Sequence, residues 1–253
     1  MKIDKVYLIT LDHSEENVSS LIERLNLLTT PNKTTYEIIY AVNGKELFST
    51  TESRSDYGIQ FYDGWDIGGT QWMWNRNVTV GEAGGICSHI KIWEDAHRMG
   101  YDNILILEDD FLPTMPFDWD VFNELNNYDW DIAFLSRLLQ SQLSDALNFE
   151  IYDTNVGLGS WVNPGYSYQT HVYVLNKSGL NKLIKDHLPI LKNNIIVSDE
   201  FLPATYTIHP RKDIRDMYIQ NMNALAYKWN VIGQTRNLAS GNSLTEPLEG
   251  IDY

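Results

Sequence analysis

Three acids stand side by side at Glu108-Asp109-Asp110, directly after the apolar run Ile104-Leu105-Ile106-Leu107. Adjacent carboxylates repel one another, and a bound cation with hard oxygen ligands is the usual compensation. Solvated loop acids at a strand end are the alternative. Open α/β sheets bind ligands at the carboxyl ends of their strands, which is where this triplet falls. Side chains alternate along an extended strand, so Glu108 and Asp110 are expected on one face and Asp109 on the other. A second acidic pair, Asp199-Glu200, follows the apolar residues Ile195 to Val197.

The elements that must carry these acids are legible as pattern. Ile104 to Leu107 reads as a fully buried strand of a parallel sheet. Before it, Val6 to Thr10 predicts a strand, Ser14 to Leu28 a helix with Val18, Leu21, Ile22, Leu25 and Leu28 at helical spacing, and Glu37 to Val42 a strand closed by Asn43-Gly44. That opening is a β-α-β unit with a right-handed crossover. Residues 45 to 78, with Trp65, Trp72 and Trp74, read as a long loop of the kind that is functional or mobile in compact domains. Thr79-Val80-Gly81-Glu82 fits a capping box, and Gly100 fits the position just past that helix's end. Further on, Asp131 to Ser136 and His171 to Leu175 predict strands, residues 137 to 165 loops, and Asn176 or Ser178 a helix cap. The chain beyond Asn230 is polar and expected over the surface. With no repeat, low-complexity tract or linker, the expectation is one α/β domain with a mostly parallel central sheet.

Composition narrows the classes. The chain has 253 residues, ample for a core, and its 43% hydrophobic and 12% aromatic content fits a globular protein. A formal charge of −15 argues against an extended grip on nucleic acid or on anionic lipid, though not against a local basic groove. The single cysteine, Cys87, permits no intrachain disulfide and sits in an apolar helical pattern, as a small core residue would. The start of the chain lacks a signal-peptide pattern, and no run approaches the ~20 apolar residues of a membrane span. A soluble, cytoplasmic protein is expected.

Several strings, in order, resemble glycosyltransferase family 25, which includes bacterial lipooligosaccharide glycosyltransferases and the galactosyltransferase domain of collagen-modifying enzymes. They are Ala41-Val42-Asn43-Gly44, then Gly81-Glu82 with Ser88-His89 and Trp93, then Glu108-Asp109-Asp110. In the second half, Gly165-Tyr166-Ser167-Tyr168 with Thr170, Ser198-Asp199-Glu200-Phe201-Leu202-Pro203 and His209-Pro210 are similar to the collagen-modifying branch. The resemblance spans about Val6 to Glu246. Two departures stand out. Asp12-His13-Ser14-Glu15-Glu16 carries none of the arginines usual after the first strand, and Gly233-Gln234-Thr235-Arg236-Asn237 replaces a loop with His and Asp.

The resemblance implies a GT-A type nucleotide-sugar-binding fold. It also implies a transfer, with inversion, of a hexose from a UDP-sugar to a hydroxyl acceptor. Residues 1–112 would form the donor-binding part, and 113–253 the acceptor and catalytic part. The leaving diphosphate calls for a divalent metal, Mn²⁺ or Mg²⁺, on oxygen ligands. Asp110 is the expected direct ligand, with Glu108 next, acting on the metal or on the ribose, and His209 able to complete the shell. The acceptor hydroxyl needs a general base, for which Asp199 stands ahead of Glu200; the competing reading is that the pair caps the helix that follows. Asn43, His89 and Arg137 are candidate donor contacts, Arg137 through its fork of donors to phosphate. A core histidine and a surface ion pair are the plainer readings of the last two. Tyr166 and Tyr168 are candidates for the acceptor or sugar wall, or ordinary strand residues. Two rival functions remain: glycosylation of a hydroxylated DNA base, which salt-sensitive duplex binding would reveal, and a non-catalytic glycan-binding or scaffold role, in which metal-dependent UDP binding would be absent.

Overall fold

The structure is a computed structural model. It describes residues 1–28, 35–47, 58–62, 80–114, 120–139, 159–168, 170–229 and 232–234. Trp65, Trp72, Trp74, Thr79 of the capping box, and Thr235, Arg236 and Asn237 lie outside them, as does most of the stretch 45–78.

Seven strands form the central sheet, in the order β2-β1-β3-β9-β5-β10-β7. They are β1 (Lys5–Thr10), β2 (Thr35–Tyr40), β3 (Asn103–Glu108), β5 (Ile132–Phe134), β7 (Trp161–Val162), β9 (Val172–Asn176) and β10 (Ala224–Tyr227). Among the described residues two small ribbons accompany it: β4 (Phe111–Pro113) with β11 (Ile232–Gln234), and β6 (Leu138–Leu139) with β8 (Ser167–Tyr168). The α/β expectation holds. β2, β1, β3, β5 and β10 run one way, while β9 runs against both β3 and β5, and β7 against β10. The Ile104 strand is therefore parallel to β1 on one side and antiparallel to β9 on the other. An apolar run reports burial on both faces and is silent on the direction of its neighbours.

Alternation along the strands divides the core into two layers. Tyr7, Ile9, Ile104, Ile106, Phe134, Tyr173 and Leu175 face the helix α3 (Val80–Met99). Val6, Leu8, Leu105, Leu107, Val172 and Val174 face α1 (Glu15–Leu27), which contributes Leu21 and Leu25. Between these helices in the chain lies the short α2 (Gly44–Leu47). Ser14 caps α1 by accepting the Asn17 N–H at 3.3 Å, and Gly100, at φ +74°, ends α3 where a side chain would be strained. After β3 the helices are α4 (Val121–Glu124), α5 (Lys177–Lys182), α6 (Leu188–Asn193), α7 (Ser198–Tyr206) and α8 (Lys212–Met217). Asn176 caps α5 by accepting the Gly179 N–H at 2.9 Å. Cys87 is buried with Val42 and Leu47, and burial pushes its thiol up to about 12, consistent with a core role. Among the described residues no helix is long and apolar enough to cross a membrane.

Residues 232–234 depart from the surface course expected beyond Asn230. Ile232, Gly233 and Gln234 pair antiparallel with Pro113, Leu112 and Phe111, the strand that leaves the acidic triplet, and Ile232 is buried. Three residues of polar context carry too little periodicity to announce a strand.

Candidate active site

The motif helix α3 ties the first half of the chain together. A Cβ at Gly84 would run into the Val42 carbonyl oxygen and lie 2.9 Å from the Gly44 nitrogen, so only glycine lets the helix pack on the turn after β2. Ser88, one helical turn on, accepts the Val42 N–H at 2.8 Å and donates to the Gly84 carbonyl at 2.7 Å. Asn43 belongs to the same turn. Its Oδ1 accepts the Lys45 N–H at 3.0 Å and its Nδ2 donates to Glu46 Oε1 at 3.2 Å, so its side chain starts α2.

His89 and Trp93, four residues apart on α3, both reach the Tyr173 hydroxyl on β9. Trp93 Nε1–H donates to it at 3.1 Å, and His89 Nδ1 lies 2.8 Å from it. The Glu108 carboxylate can only accept, so His89 Nε2 is the donor to it, at 2.9 Å, and in the neutral ring Nδ1 then accepts the Tyr173 hydroxyl proton. This buried relay runs Trp93 to Tyr173 to His89 to Glu108. It makes His89 the support of Glu108, at the inner side of that carboxylate. Burial pushes the Glu108 carboxyl up, but the hydrogen bond donated by His89 outweighs it and holds it below the ordinary range.

β3 ends at Glu108, and Asp109-Asp110 form a turn. Asp109 turns toward the α1 layer, where its Oδ2 accepts the Thr10 hydroxyl at 2.7 Å. For Asp110, burial and the charges of Glu108 and Asp109 push the carboxyl up to about 7. The cation set against this crowding is Arg24 of α1. It lowers the pKa of both aspartates, donates Nη1 to the Phe111 carbonyl at 2.8 Å and stacks 5.1 Å over the Phe111 ring. Arg24 was legible only as the first arginine after β1; the helix rotation that aims it at the triplet is a tertiary fact.

The second acidic pair divides. Asp199 and Glu200 lie in the first turn of α7. Asp199 Oδ1 accepts the Thr170 N–H at 3.0 Å. Glu200 is buried in a network of its own, accepting from the Tyr166 and Tyr168 hydroxyls and, at 2.8 Å, from His209 Nε2. His209 Nδ1 accepts the Arg211 N–H at 3.1 Å, so both of its ring nitrogens are engaged. The geometry therefore gives His209 to Glu200, not to Asp110 as a metal ligand. Tyr166, 1% exposed, likewise gives its hydroxyl to Glu200, so it supports that carboxylate; Tyr168 is only partly buried. Burial pushes the Glu200 carboxyl up, but His209 and the two tyrosines outweigh it and hold it low. A carboxylate with three donors already on it is poorly placed to take a substrate's proton. Arg137 is buried just past β5, at the same edge of the sheet.

Two backbone bonds bring the acids together. The Glu108 N–H donates to the His171 carbonyl at 2.9 Å, and the preceding residue, Thr170, holds Asp199. Glu108 and Asp199 are thus bonded to consecutive residues at the start of β9. His171 itself is 1% exposed, and neither of its ring nitrogens has a hydrogen-bond partner among the described residues. Burial pushes its pKa down to about 4, against the pull of Glu108.

Among the described residues no three His, Cys, Asp or Glu side chains converge tightly enough to hold a metal by themselves. Glu108 and Asp110 still fit one. Magnesium-type ions take one or two carboxylates and complete their shell with water and substrate phosphates, and the mutual repulsion at Asp110 is what a cation relieves.

The sequence model of glycosyltransferase family 25, described as an LPS biosynthesis protein, matches residues 3–202. The chain belongs to glycosyltransferase family 25. Among relatives, a family 25 member of Anopheles gambiae is 28% identical over 217 residues, covering 84% of this chain and 33% of its own length. Procollagen galactosyltransferase 1-B of Xenopus laevis is 28% identical over 222 residues, 84% of this chain and 33% of the relative. A Bos taurus relative, 27% identical over 85% of this chain and 34% of its own length, is named a probable inactive family 25 member. This family 25 chain thus spans about a third of the length of those relatives. Of solved structures, A197 from STIV aligns at TM-score 0.38 and 12% identity over 91% of this chain and 83% of its own. Mouse xyloside xylosyltransferase 1 aligns at 0.35 and 11% over 88% and 83%.

Proposed function

We propose that this family 25 protein is a metal-dependent hexosyltransferase of GT-A type, moving galactose or glucose from a UDP-sugar to a hydroxyl acceptor with inversion. The observation that carries the reading is the convergence of its two acidic centres. Glu108, at the end of β3, and Asp199, at the start of α7, are anchored on adjacent residues His171 and Thr170. Consecutive Cα atoms are about 3.8 Å apart, so a donor's diphosphate and an acceptor's hydroxyl would meet across one strand terminus.

Glu108 and Asp110 would hold a divalent cation, which when bound neutralises the diphosphate as it departs. The relay through His89 keeps Glu108 ionised and oriented for that task. Asp199, whose Oδ1 accepts the Thr170 N–H, takes the proton of the acceptor hydroxyl as its oxygen attacks the anomeric carbon; the bond from that carbon to the diphosphate oxygen breaks in the same displacement. Glu200 positions rather than reacts, fixing the first turn of α7. Arg137 is assigned to the diphosphate.

The procollagen galactosyltransferases among the relatives favour galactose and a hydroxylated side chain or glycan as acceptor, and the net charge of −15 disfavours duplex DNA. The inactive name borne by one relative makes catalysis the point to test. Calorimetric titration of UDP with and without Mn²⁺, followed by a screen of UDP-sugars for metal-dependent donor hydrolysis, tests it. Metal-independent or absent UDP binding would refute the reading.

A further inference from the structure

His171 stands out because its ring, 1% exposed, is buried beside an acidic centre with both nitrogens unpaired among the described residues. Nearly all buried polar groups in folded proteins are paired, and each exception points to a bound molecule, a catalytic role or strain. Strain is not the answer here, since the residue extends a regular ladder. β3 and β9 are paired through Leu107 and Val172, and the Glu108 N–H to His171 carbonyl bond adds the next rung. Residues directly opposite in an antiparallel pair project from the same face with Cβ atoms about 5 Å apart. His171 therefore stands beside Glu108. It shares that face with Tyr173, two residues along β9, whose hydroxyl belongs to the relay from His89.

Position and chemistry together restrict the ligand. The ring lies between the two acidic centres: Glu108 is across the ladder on one side, and Thr170, which holds Asp199, precedes it in the chain. Glu108 keeps a third of its side chain exposed, so a ligand reaches to within one strand of the ring. An imidazole holding one proton offers one N–H and one lone pair. A phosphate oxygen can use only the first. A sugar hydroxyl, donor and acceptor at once, can use both, and vicinal hydroxyls can use them together.

We propose that His171 is a specificity-determining residue that hydrogen-bonds the hydroxyls of the transferred hexose, between the diphosphate at Glu108 and the acceptor at Asp199. The inference rests on the transferase reading above and adds the group that reads the sugar. It also makes a structural demand: the hexose ring lies over the start of β9, and hydroxyl configuration on the ring face toward His171 decides which donor is accepted.

The test compares the parent protein with His171→Phe, which keeps an aromatic ring and removes both nitrogens, and His171→Gln, which restores one donor and one acceptor. UDP affinity in the presence of Mn²⁺ is measured by calorimetry, and KM and kcat for donor hydrolysis are measured with UDP-galactose and UDP-glucose. The expected result is UDP affinity within about twofold of the parent in both variants. In His171→Phe, KM for the preferred UDP-sugar rises about tenfold or more and the preference between the two sugars collapses, while His171→Gln recovers part of both. A purely structural role would lower thermal stability and UDP affinity together without changing the ratio between the sugars, and that result overturns the proposal. Unchanged KM and unchanged preference in His171→Phe overturn it as well. If the parent binds no UDP in the presence of Mn²⁺, the transferase reading itself falls. If the parent binds UDP and the sugar ratio is indifferent to residue 171, only the role of His171 falls. Should His171→Phe fail to fold, His171→Gln decides, since a single retained amide must shift the ratio.

Discussion

His89 Nε2 lies 2.9 Å from Glu108 Oε1, and the hydrogen-bond chain behind it fixes which way the proton points. Trp93 donates to Tyr173, Tyr173 to His89 and His89 to Glu108, so the first acid of the triplet enters the site ionised and oriented. A buried carboxylate otherwise tends to take up a proton. Here a helix supplies the counter-group from beneath the sheet.

Replacing His89 by Ala leaves Glu108 and the Tyr173 hydroxyl without that partner. A loss of about 1–3 kcal/mol in chemical denaturation is expected from the unsatisfied groups. Metal-dependent UDP affinity should fall about 10–100-fold, the usual consequence of removing a group that orients a metal ligand. Parent-like UDP affinity in His89→Ala would show that Glu108 does not need the relay.

Asp110 gives a pH signature. Its carboxyl is raised from 3.8 to about 7 by burial and by Glu108 and Asp109. The metal-free folded protein therefore binds more protons than the unfolded chain between those two values, and its stability contribution from this group is lost as pH rises through them. Mn²⁺ must displace the proton, so its apparent affinity should climb as pH approaches about 7 and level off above it. Calorimetry in buffers of different ionisation enthalpy would count the released proton. Asp110→Asn should abolish metal-dependent donor hydrolysis and, in the absence of metal, flatten the pH dependence.

The two acids of α7 should separate experimentally. Asp199→Ala is expected to keep UDP binding and a near-parent melting profile while transfer stops; transfer at the parent rate would remove Asp199 as base. Glu200→Ala should instead destabilise by about 3–5 kcal/mol, because it strands His209 and two buried tyrosine hydroxyls. The Glu200 carboxyl is held below its ordinary range, so its contribution is fully present above that range and is lost as pH falls through the lowered value. An acid-unfolding midpoint that moves upward in Glu200→Gln would register this.

Gly84→Ala is a purely structural test. The added methyl meets the Val42 carbonyl and the Gly44 nitrogen, both backbone, so α3 or the turn must shift. Overpacking of this kind costs about 1–3 kcal/mol. A melting temperature equal to the parent's would mean that the helix has room to move.

The strands around Val6, Glu37, Ile104, Asp131 and His171, a helix cap at Asn176 or Ser178, the helix stop at Gly100 and the seat of the acidic triplet at a strand end were written in local pattern, while β7 and β10 were not. Such features depend on residues within a turn or two of one another, so a linear reading reaches them. The family motifs were legible too, as strings. Their meaning was not. That Gly84 admits the turn after β2, that His89 serves Glu108, and that Glu200 belongs to His209 while Asp199 belongs to Thr170 are contacts between segments 9 to 84 residues apart. Strand alternation reaches only as far as Glu108, where β3 stops and the chain turns into β4, which β11 then covers. The sequence by itself determined which acids exist and that they sit at the edge of a sheet. Only the antiparallel β9, inserted between β3 and β5, decided that the acids of two distant segments meet at Thr170 and His171.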